Sequence, residues 1–144
     1  MVTTETVKLY IDRLCREIGT TAAAIHNPKT GAWYFSIGHS TIEVFLTSVG
    51  TDEGTLRTFL RCFAPLRVVP PDNLNKTDFF YGALEANTRY TGIKLGVIAG
   101  RGLLCAIAEC DIASMSYADM VMLITDTGHS AGQLDDFLQQ RFSR

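Results

Sequence analysis

Residues 93–110 read IKLGVIAGRGLLCAIAEC, and this stretch decides the fold. Two apolar runs, residues 93–98 and 103–110, flank the glycine-rich link AGRG at 99–102. Short apolar runs joined by such a link are typical of a β-hairpin, because glycine adopts the positive φ angles that tight turns require. The stretch therefore predicts two neighbouring antiparallel strands.

Sequence patterns typical of α-helices precede and follow this hairpin in the chain. Residues 77–90 predict a helix with one face made of Phe80, Ala83, Leu84 and Asn87. After the hairpin, Ser116 and Asp119 have the spacing of a capping box, and apolar residues recur at helical spacing as far as residue 142. Gly128 favours a bend or break in this last helix, since glycine weakens a helix interior by about 1 kcal/mol.

The first half of the chain predicts one helix followed by four strands. Residues 4–18 repeat apolar side chains every three or four positions, which is typical of an amphipathic helix. The predicted strands are residues 22–26, 33–37, 41–49 and 55–63. The turns between them are short, so neighbouring strands should be antiparallel. Pro65 and the prolines that follow it are expected to end the pairing, because proline lacks a backbone N–H.

The order of elements is therefore helix, four strands, helix, two strands, helix. We predict an α+β fold, with a single antiparallel sheet of five or six strands and three helices packed on one face. This layered arrangement buries the apolar side of both the sheet and the helices. The 144 residues suit one domain, spanning residues 1–144. A domain of this size buries roughly 68–70% of its extended surface and needs no metal or disulfide support.

This order of elements resembles the YbjN family and the related type III secretion chaperone-like fold. The segments that carry the resemblance are FYGALEAN (80–87) followed by Gly92, AD (118–119) and LDDFL (134–138). Cyanobacterial members of the family are the most similar in pattern. The resemblance implies a small cytoplasmic domain, often dimeric, that binds protein segments or stabilises partners. It implies no catalytic residues, because the family has no established active-site motif.

Composition narrows the class of protein further. Hydrophobic residues make up 47% of the chain and charged residues 19%, as in ordered globular domains. The net charge of −2 argues against nucleic-acid binding, which needs an excess of Lys and Arg. The four cysteines lack paired spacing, which predicts buried free thiols in a reducing cytoplasm. Without an apolar signal core or a run of ~20 apolar residues, we expect a cytoplasmic location and no membrane partner.

Three motifs favour ordinary structure over chemistry. The glycines of residues 96–102 lie between two predicted strands, and no Lys-Ser or Lys-Thr follows them, so a hairpin is favoured over a phosphate loop. His39, Ser40 and Glu43 stand in or beside a turn, where neighbouring side chains diverge and cannot form a nucleophilic triad. The histidines lack the spacing of a zinc site. We predict no enzymatic activity, no metal and no cofactor.

The strands of the first half divide their side chains between two faces, because alternate residues point to opposite sides. One face is rich in apolar side chains and should lie beneath the helices: Trp33, Phe35, Ile37, Ile42, Val44, Leu46, Leu56, Leu60 and Cys62. The other holds the predicted partner-binding residues: Tyr34, Phe45, Arg57, Phe59, Arg61 and Phe63. Aromatic residues and Arg are enriched at protein interfaces. The alternative is that residues 65–74 cover this second face.

The leading hypothesis is a non-enzymatic, protein-binding or chaperone-like domain that stabilises or scaffolds a partner protein. We expect a homodimer, because an open sheet has unpaired edges and the aromatic face has apolar surface to bury. The alternative is a module that binds a small apolar ligand between the sheet and the helices. A nucleic-acid-binding sheet ranks below both because the chain is acidic.

Overall fold

A computed structural model describes residues 1–71 and 76–142. The α-helices in these residues are α1 (Thr4–Glu17), α2 (Ala22–Ile25), α3 (Lys76–Arg89) and α4 (Tyr117–Phe142). The strands are β1 (His26–Asn27), β2 (Ala32–Ile37), β3 (Ser40–Gly50), β4 (Leu56–Val68), β5 (Lys94–Ile98) and β6 (Leu103–Asp111). A short 3₁₀ helix, Ile112–Ser114, links β6 to α4.

The strands form one antiparallel sheet in the order β1-β2-β3-β4-β6-β5. The predicted hairpin of β5 and β6 is present, and β6 also pairs with β4 on its other side. The last strand in the chain is therefore interior, and β5 forms an edge of the sheet. The predicted α+β fold with a single antiparallel sheet is confirmed.

The three long helices pack on one face of the sheet, as predicted. Ile11 of α1, Phe79 of α3 and Leu134 of α4 belong to one buried core. Ile42 and Leu60 project into this core from the sheet and are completely inaccessible to solvent. Burial of apolar side chains between the two layers stabilises the domain by about 25 cal/mol for each Å² removed from water.

The predicted strand at residues 22–26 is wrong, and its correction raises the number of α-helices from three to four in the described residues. Ala22–Ile25 forms the short helix α2, and only His26–Asn27 pairs with β2. Thr21 caps this helix, since its hydroxyl oxygen accepts a hydrogen bond from the Ala24 N–H at 3.2 Å. Three consecutive alanines have the highest helix propensity, which outweighs the apolar run as a strand signal.

Strand β4 continues beyond the point where Pro65 was expected to end it. Pro65 pairs with Cys105, and the strand extends to Val68 opposite Leu103. The register shifts between Pro65 and Arg67, which marks an irregularity of the kind that accommodates a residue without an N–H donor. Proline here produces a bulge and does not end the strand.

Helix α4 begins at the predicted capping box and continues without a break past Gly128. The Ser116 N–H donates to Asp119 Oδ2 at 2.9 Å, and the Asp119 N–H donates to Ser116 Oγ at 3.0 Å. The helix is not broken at Gly128, and this glycine has another role. A Cβ atom at this position would lie 2.5 Å from Cβ of Ile37, so the glycine lets α4 approach the sheet closely.

The buried face of α3 differs from the predicted one. Its buried residues are Phe79, Gly82, Ala83 and Ala86, whereas Leu84 is 67% exposed. Helix α3 packs against α4, and the ring of Phe79 stacks on that of Phe142 with centroids 5.4 Å apart. Close approach to Phe142 requires Gly82, where a Cβ atom would lie 2.9 Å from the ring. Small residues therefore form much of the buried face of α3, although the sequence pattern predicts that the larger side chains of Phe80 and Leu84 do so.

The helices of residues 1–71 and 76–142 include none that combines the length and the apolar character needed to span a membrane.

Candidate partner-binding surface

The six predicted partner-binding residues all lie on the sheet face that carries no helix, which we call the open face. The strand register places Phe45 opposite Arg61, Thr47 opposite Phe59 and Glu43 opposite both Phe63 and Tyr34. Arg57 pairs with Val49 farther along the same strands. The predicted division of the strands into two faces is therefore correct for these residues. Whether they bind a partner stays a prediction.

The aromatic side chains of the open face differ in exposure. Phe45, Phe59 and Tyr34 are half-buried, whereas Phe63 is only 9% exposed. Phe63 packs in a small second cluster with Cys105 and Ile107, and its ring meets that of Phe45 edge-on with centroids 5.0 Å apart. Phe63 is therefore largely buried by its neighbours. The rings of Tyr34, Phe45 and Phe59 provide the exposed apolar surface for contact with a partner.

Residues 65–74 are the alternative cover that the sequence offers for the open face. Residues 65–68 lie within β4 and pair with β6, so they extend the sheet and do not fold over it. The Val69 N–H donates to the Gly102 carbonyl at 2.8 Å, which also keeps the chain beside the β5–β6 turn. Residues 72–74 lie outside the described residues.

The two arginines of the open face are paired with carboxylates of β6. Arg57 Nη2 lies 2.8 Å from Asp111 Oδ2, and Arg61 Nε lies 3.0 Å from Glu109 Oε2. Lys94 of β5 also reaches Glu109, at 2.8 Å. Sequence reasoning placed the arginines correctly but missed these acids, because the register of β6 against β4 has no local signal.

The pKa values of the two β6 carboxyl groups reflect this pairing. The pKa of Glu109 is lowered chiefly by the hydrogen bond from Lys94; burial opposes this shift, and the charges of Lys94 and Arg61 lower the pKa further. The pKa of Asp111 is lowered chiefly by the Ala113 backbone N–H and then by Arg57. These groups are solvated, so the ion pairs order the side chains more than they stabilise the fold.

The paired arginines also lie over the aromatic rings. The guanidinium carbon of Arg57 is 5.1 Å from the centroid of Phe59, and that of Arg61 is 4.8 Å from the centroid of Phe63. Guanidinium groups at this distance are attracted to the ring face. The open face therefore presents apolar rings beside ordered, charge-balanced side chains, which suits contact with another protein surface better than capture of an anion.

A further ion pair at the opposite end of the open face escaped sequence reasoning. Glu43 is buried beside Tyr34, and its Oε2 lies 3.2 Å from Arg101 Nη1 in the β5–β6 turn. The Glu43 carboxylate raises the pKa of Arg101 through this hydrogen bond. Alternation along the strand places Glu43 on the same face as Tyr34, but its charged partner comes from the other half of the chain and has no local signal.

Strands β3 and β4 extend beyond their neighbours as a two-stranded arm, formed by residues 46–50 and 56–58. Strand β2 pairs with β3 only from Ser40 to Val44, and β6 pairs with β4 only from Phe59 onward. Val49 is 51% exposed and Leu56 is 73% exposed near the tip. Leu56 was predicted to lie beneath the helices, which is wrong because no helix reaches this part of the arm.

A surface cavity of about 540 Å³ adjoins this arm. It is bounded by α1, α2 and β2 and reaches Phe45 and Leu46 at the side of β3 that β2 leaves free. The core between sheet and helices is filled by packed side chains. At the edge of this interface a cavity of about 270 Å³ lies between α3 and β5, lined mainly by apolar side chains such as Phe80, Leu84 and Val97. Binding of a small apolar ligand between sheet and helices therefore stays a prediction.

The other sequence features have structural roles in the described residues. All four cysteines are free, and Cys15, Cys62 and Cys105 are buried, as predicted. Residues 1–71 and 76–142 contain no group of three or more His, Cys, Asp or Glu side chains placed to hold a metal ion. The glycines of residues 100 and 102 adopt positive φ angles in the turn between β5 and β6.

Comparison with known proteins shows a similarity of fold and no similarity of sequence that identifies a family. No protein-family model and no curated protein sequence matches this chain. A chain in the crystal structure of the ExsC–ExsE complex is similar, with a TM-score of 0.57 and 14% identity over 96% of this chain and 97% of that one. A chain in the HopA1–SchA chaperone–effector complex has a TM-score of 0.49 and 13% identity over 94% and 99%.

Only the first of these likenesses bears on the fold expected from the sequence. The first structure shares the overall fold with this chain along nearly all of its length. At 14% identity, this likeness concerns the fold alone. Membership in the YbjN family stays a prediction.

Proposed function

We propose that this protein is a non-enzymatic, chaperone-like domain that binds a partner protein through its open face. The observation that carries the proposal is the strip of half-buried aromatic rings, Phe45, Phe59 and Tyr34, on a sheet face without helices. Aromatic side chains provide large contact area at low conformational cost, and a neighbouring Arg adds hydrogen bonds and stacking.

The charge balance of the open face indicates the kind of partner. Arg57 and Arg61 are already neutralised by Asp111 and Glu109, so a strongly charged ligand such as nucleic acid gains little from them. A segment with apolar side chains gains most, because it covers the exposed parts of the rings. The fold shared with a chain of the ExsC–ExsE complex supports a role in a complex with another protein. We also propose that the protein acts in the cytoplasm as a homodimer.

The test compares capture of a partner by wild-type protein and by the double variant Phe59→Ala, Arg61→Gln. Glutamine is chosen at position 61 because a glutamate there would face Glu109, which lies 3.0 Å from the Arg61 side chain. The matched control is Leu84→Ala, which removes an exposed apolar side chain from α3 on the other side of the sheet.

We expect wild type and control to retain the same partner from native lysate, identified by mass spectrometry, and to bind it again after purification. The double variant should bind the purified partner at least about tenfold more weakly, the loss typical of one or two central interface residues. Equal binding by the double variant, with an unchanged circular dichroism spectrum, would falsify the assignment of the open face.

A further inference from the structure

The two-stranded arm has a free edge on its β3 side. Residues 46–50 of β3 pair with β4 on one side and have no strand on the other in the described part of the chain. Backbone N–H and C=O groups of a strand alternate in direction, so about half of these groups face the free side. Such an edge is a template for another strand.

This edge lacks the features that normally prevent pairing with another chain. Edge strands are usually protected by charged side chains, proline or a bulge. Residues 44–51 read VFLTSVGT and contain no charged residue and no proline, and their register against β4 is regular. Two other free edges carry charges: β5 carries Lys94, and the free part of β4 carries Arg57. Residues 34–37 of β2 form an uncharged free edge as well, but it is only four residues long.

We propose that a second copy of this chain pairs with the edge, antiparallel and centred on Ser48, so that two arms form one continuous sheet. In this register Ser48 faces the partner's Ser48, Thr47 faces the partner's Val49, and Leu46 faces the partner's Gly50. Every opposed pair is uncharged, so no like charges face one another between the two paired strands. The inference rests on the homodimer of the proposed function and assigns its interface.

The fold provides room for this arrangement. With Ser48 on the two-fold axis, the partner's Thr51 approaches Phe45 at the point where β2 begins with Ala32, next to the cavity of about 540 Å³. The turn that follows the partner's Thr51 would enter this cavity, between α1, α2 and the segment Thr30-Gly31. The cavity is therefore placed where the second copy needs space.

Pairing of the arms has a consequence for the partner-binding surface. Thr47 and Val49 lie on the open face with Phe45 and Phe59, and they flank the edge itself. The open faces of two copies therefore become continuous across the two-fold axis, and each copy contributes aromatic rings to one surface. A five-residue strand contact is smaller than the ~800 Å² per partner of a standard interface, so we expect a reversible, concentration-dependent dimer.

The test uses opposite charges at the residue on the axis. Ser48 is exposed, and its only side-chain partner in the described residues is the Thr58 hydroxyl at 3.0 Å. Ser48→Lys and Ser48→Glu each place like charges opposite one another, whereas an equimolar mixture of the two places Lys opposite Glu. Thr58→Lys is the matched control, because it adds the same charge on the strand away from the free edge.

Sedimentation equilibrium should show a wild-type dimer at micromolar concentration and the same dimer for Thr58→Lys. Each Ser48 variant should have a dissociation constant at least about tenfold higher, and the mixture should recover wild-type association. A monomeric wild type would overturn both the homodimer and this interface. A Ser48→Lys dimer of unchanged affinity, or a mixture that fails to associate, would overturn the interface alone.

Discussion

At the scale of single residues, Gly128 sets the distance between α4 and the sheet. Gly128→Ala should destabilise the domain by about 1–3 kcal/mol, because the added methyl group collides with Ile37 in a packed interior. Gly132→Ala is the control, since a Cβ atom there meets nothing within 4 Å and alanine should stabilise the helix by about 0.5–1 kcal/mol. Urea unfolding measures both, and equal midpoints would contradict the close approach described here.

Cys62 is the second residue with a direct chemical consequence. Burial raises the pKa of its thiol to about 12, against a smaller lowering by a hydrogen bond with Thr127. The reactive thiolate is then a fraction of order 10⁻⁴ at mildly alkaline pH, so Cys62 should resist alkylation in the folded protein. Half-buried Cys110 should react first, and urea should make all four thiols reactive. Mass spectrometry after iodoacetamide treatment distinguishes these sites, and early labelling of Cys62 would contradict its burial.

At the scale of elements, the pairing of β4 with β6 should respond to acid. The pKa values of Glu109 and Asp111 are lowered in the folded protein. Their charged forms therefore contribute stability at neutral pH, and this contribution is lost as pH falls through the folded pKa values. The double variant Glu109→Gln, Asp111→Asn should unfold at lower urea concentration than wild type at neutral pH, and the difference should vanish in acid. The amide oxygen introduced at position 111 can still accept the hydrogen bond from the Ala113 N–H, so the comparison isolates charge.

The control for this prediction is Glu53→Gln in the turn of the arm, a residue with no ion pair in the described parts of the chain. Its unfolding midpoint should follow that of wild type at every pH. A double variant that stays parallel to wild type into acid would show that the β6 carboxylates contribute nothing through their charge.

Local signals account for the elements that sequence reasoning placed correctly. The glycine turn between β5 and β6, the Ser116–Asp119 capping box and the alternation of β3 each depend on residues close together in the chain. Helix α2, the bulge after Pro65 and the buried face of α3 depend on contacts with distant segments or on a competition between two local preferences. For α2 the local alanine signal was present but competed with a strand pattern, whereas the buried face of α3 is decided by its contact with α4.

For the domain as a whole, the sequence predicted one layer of helices on one sheet, but it did not identify the charged residues of the candidate surface. The positions of Phe45, Phe59 and Arg61 on one face followed from alternation. Their charged neighbours Glu109 and Asp111 could not be found, because the position of β6 beside β4 is a property of the assembled sheet. The sequence also showed no sign of the exposed arm. The arm exists because β3 and β4 extend beyond the ends of their neighbours β2 and β6, and this difference in length has no local signal.

The interior position of β6 also fixes the order in which the sheet can assemble. Strands β1 to β4 join through short turns, and β5 joins β6 in the same way, whereas Arg61 and Glu109 meet across 48 residues of chain. Closing so long a loop has an entropic cost that grows with the logarithm of its length, by about 0.6 kcal/mol for each doubling. The two local halves therefore gain their hydrogen bonds before they meet. Until they do, the long strand β4 exposes the backbone groups that β6 later covers.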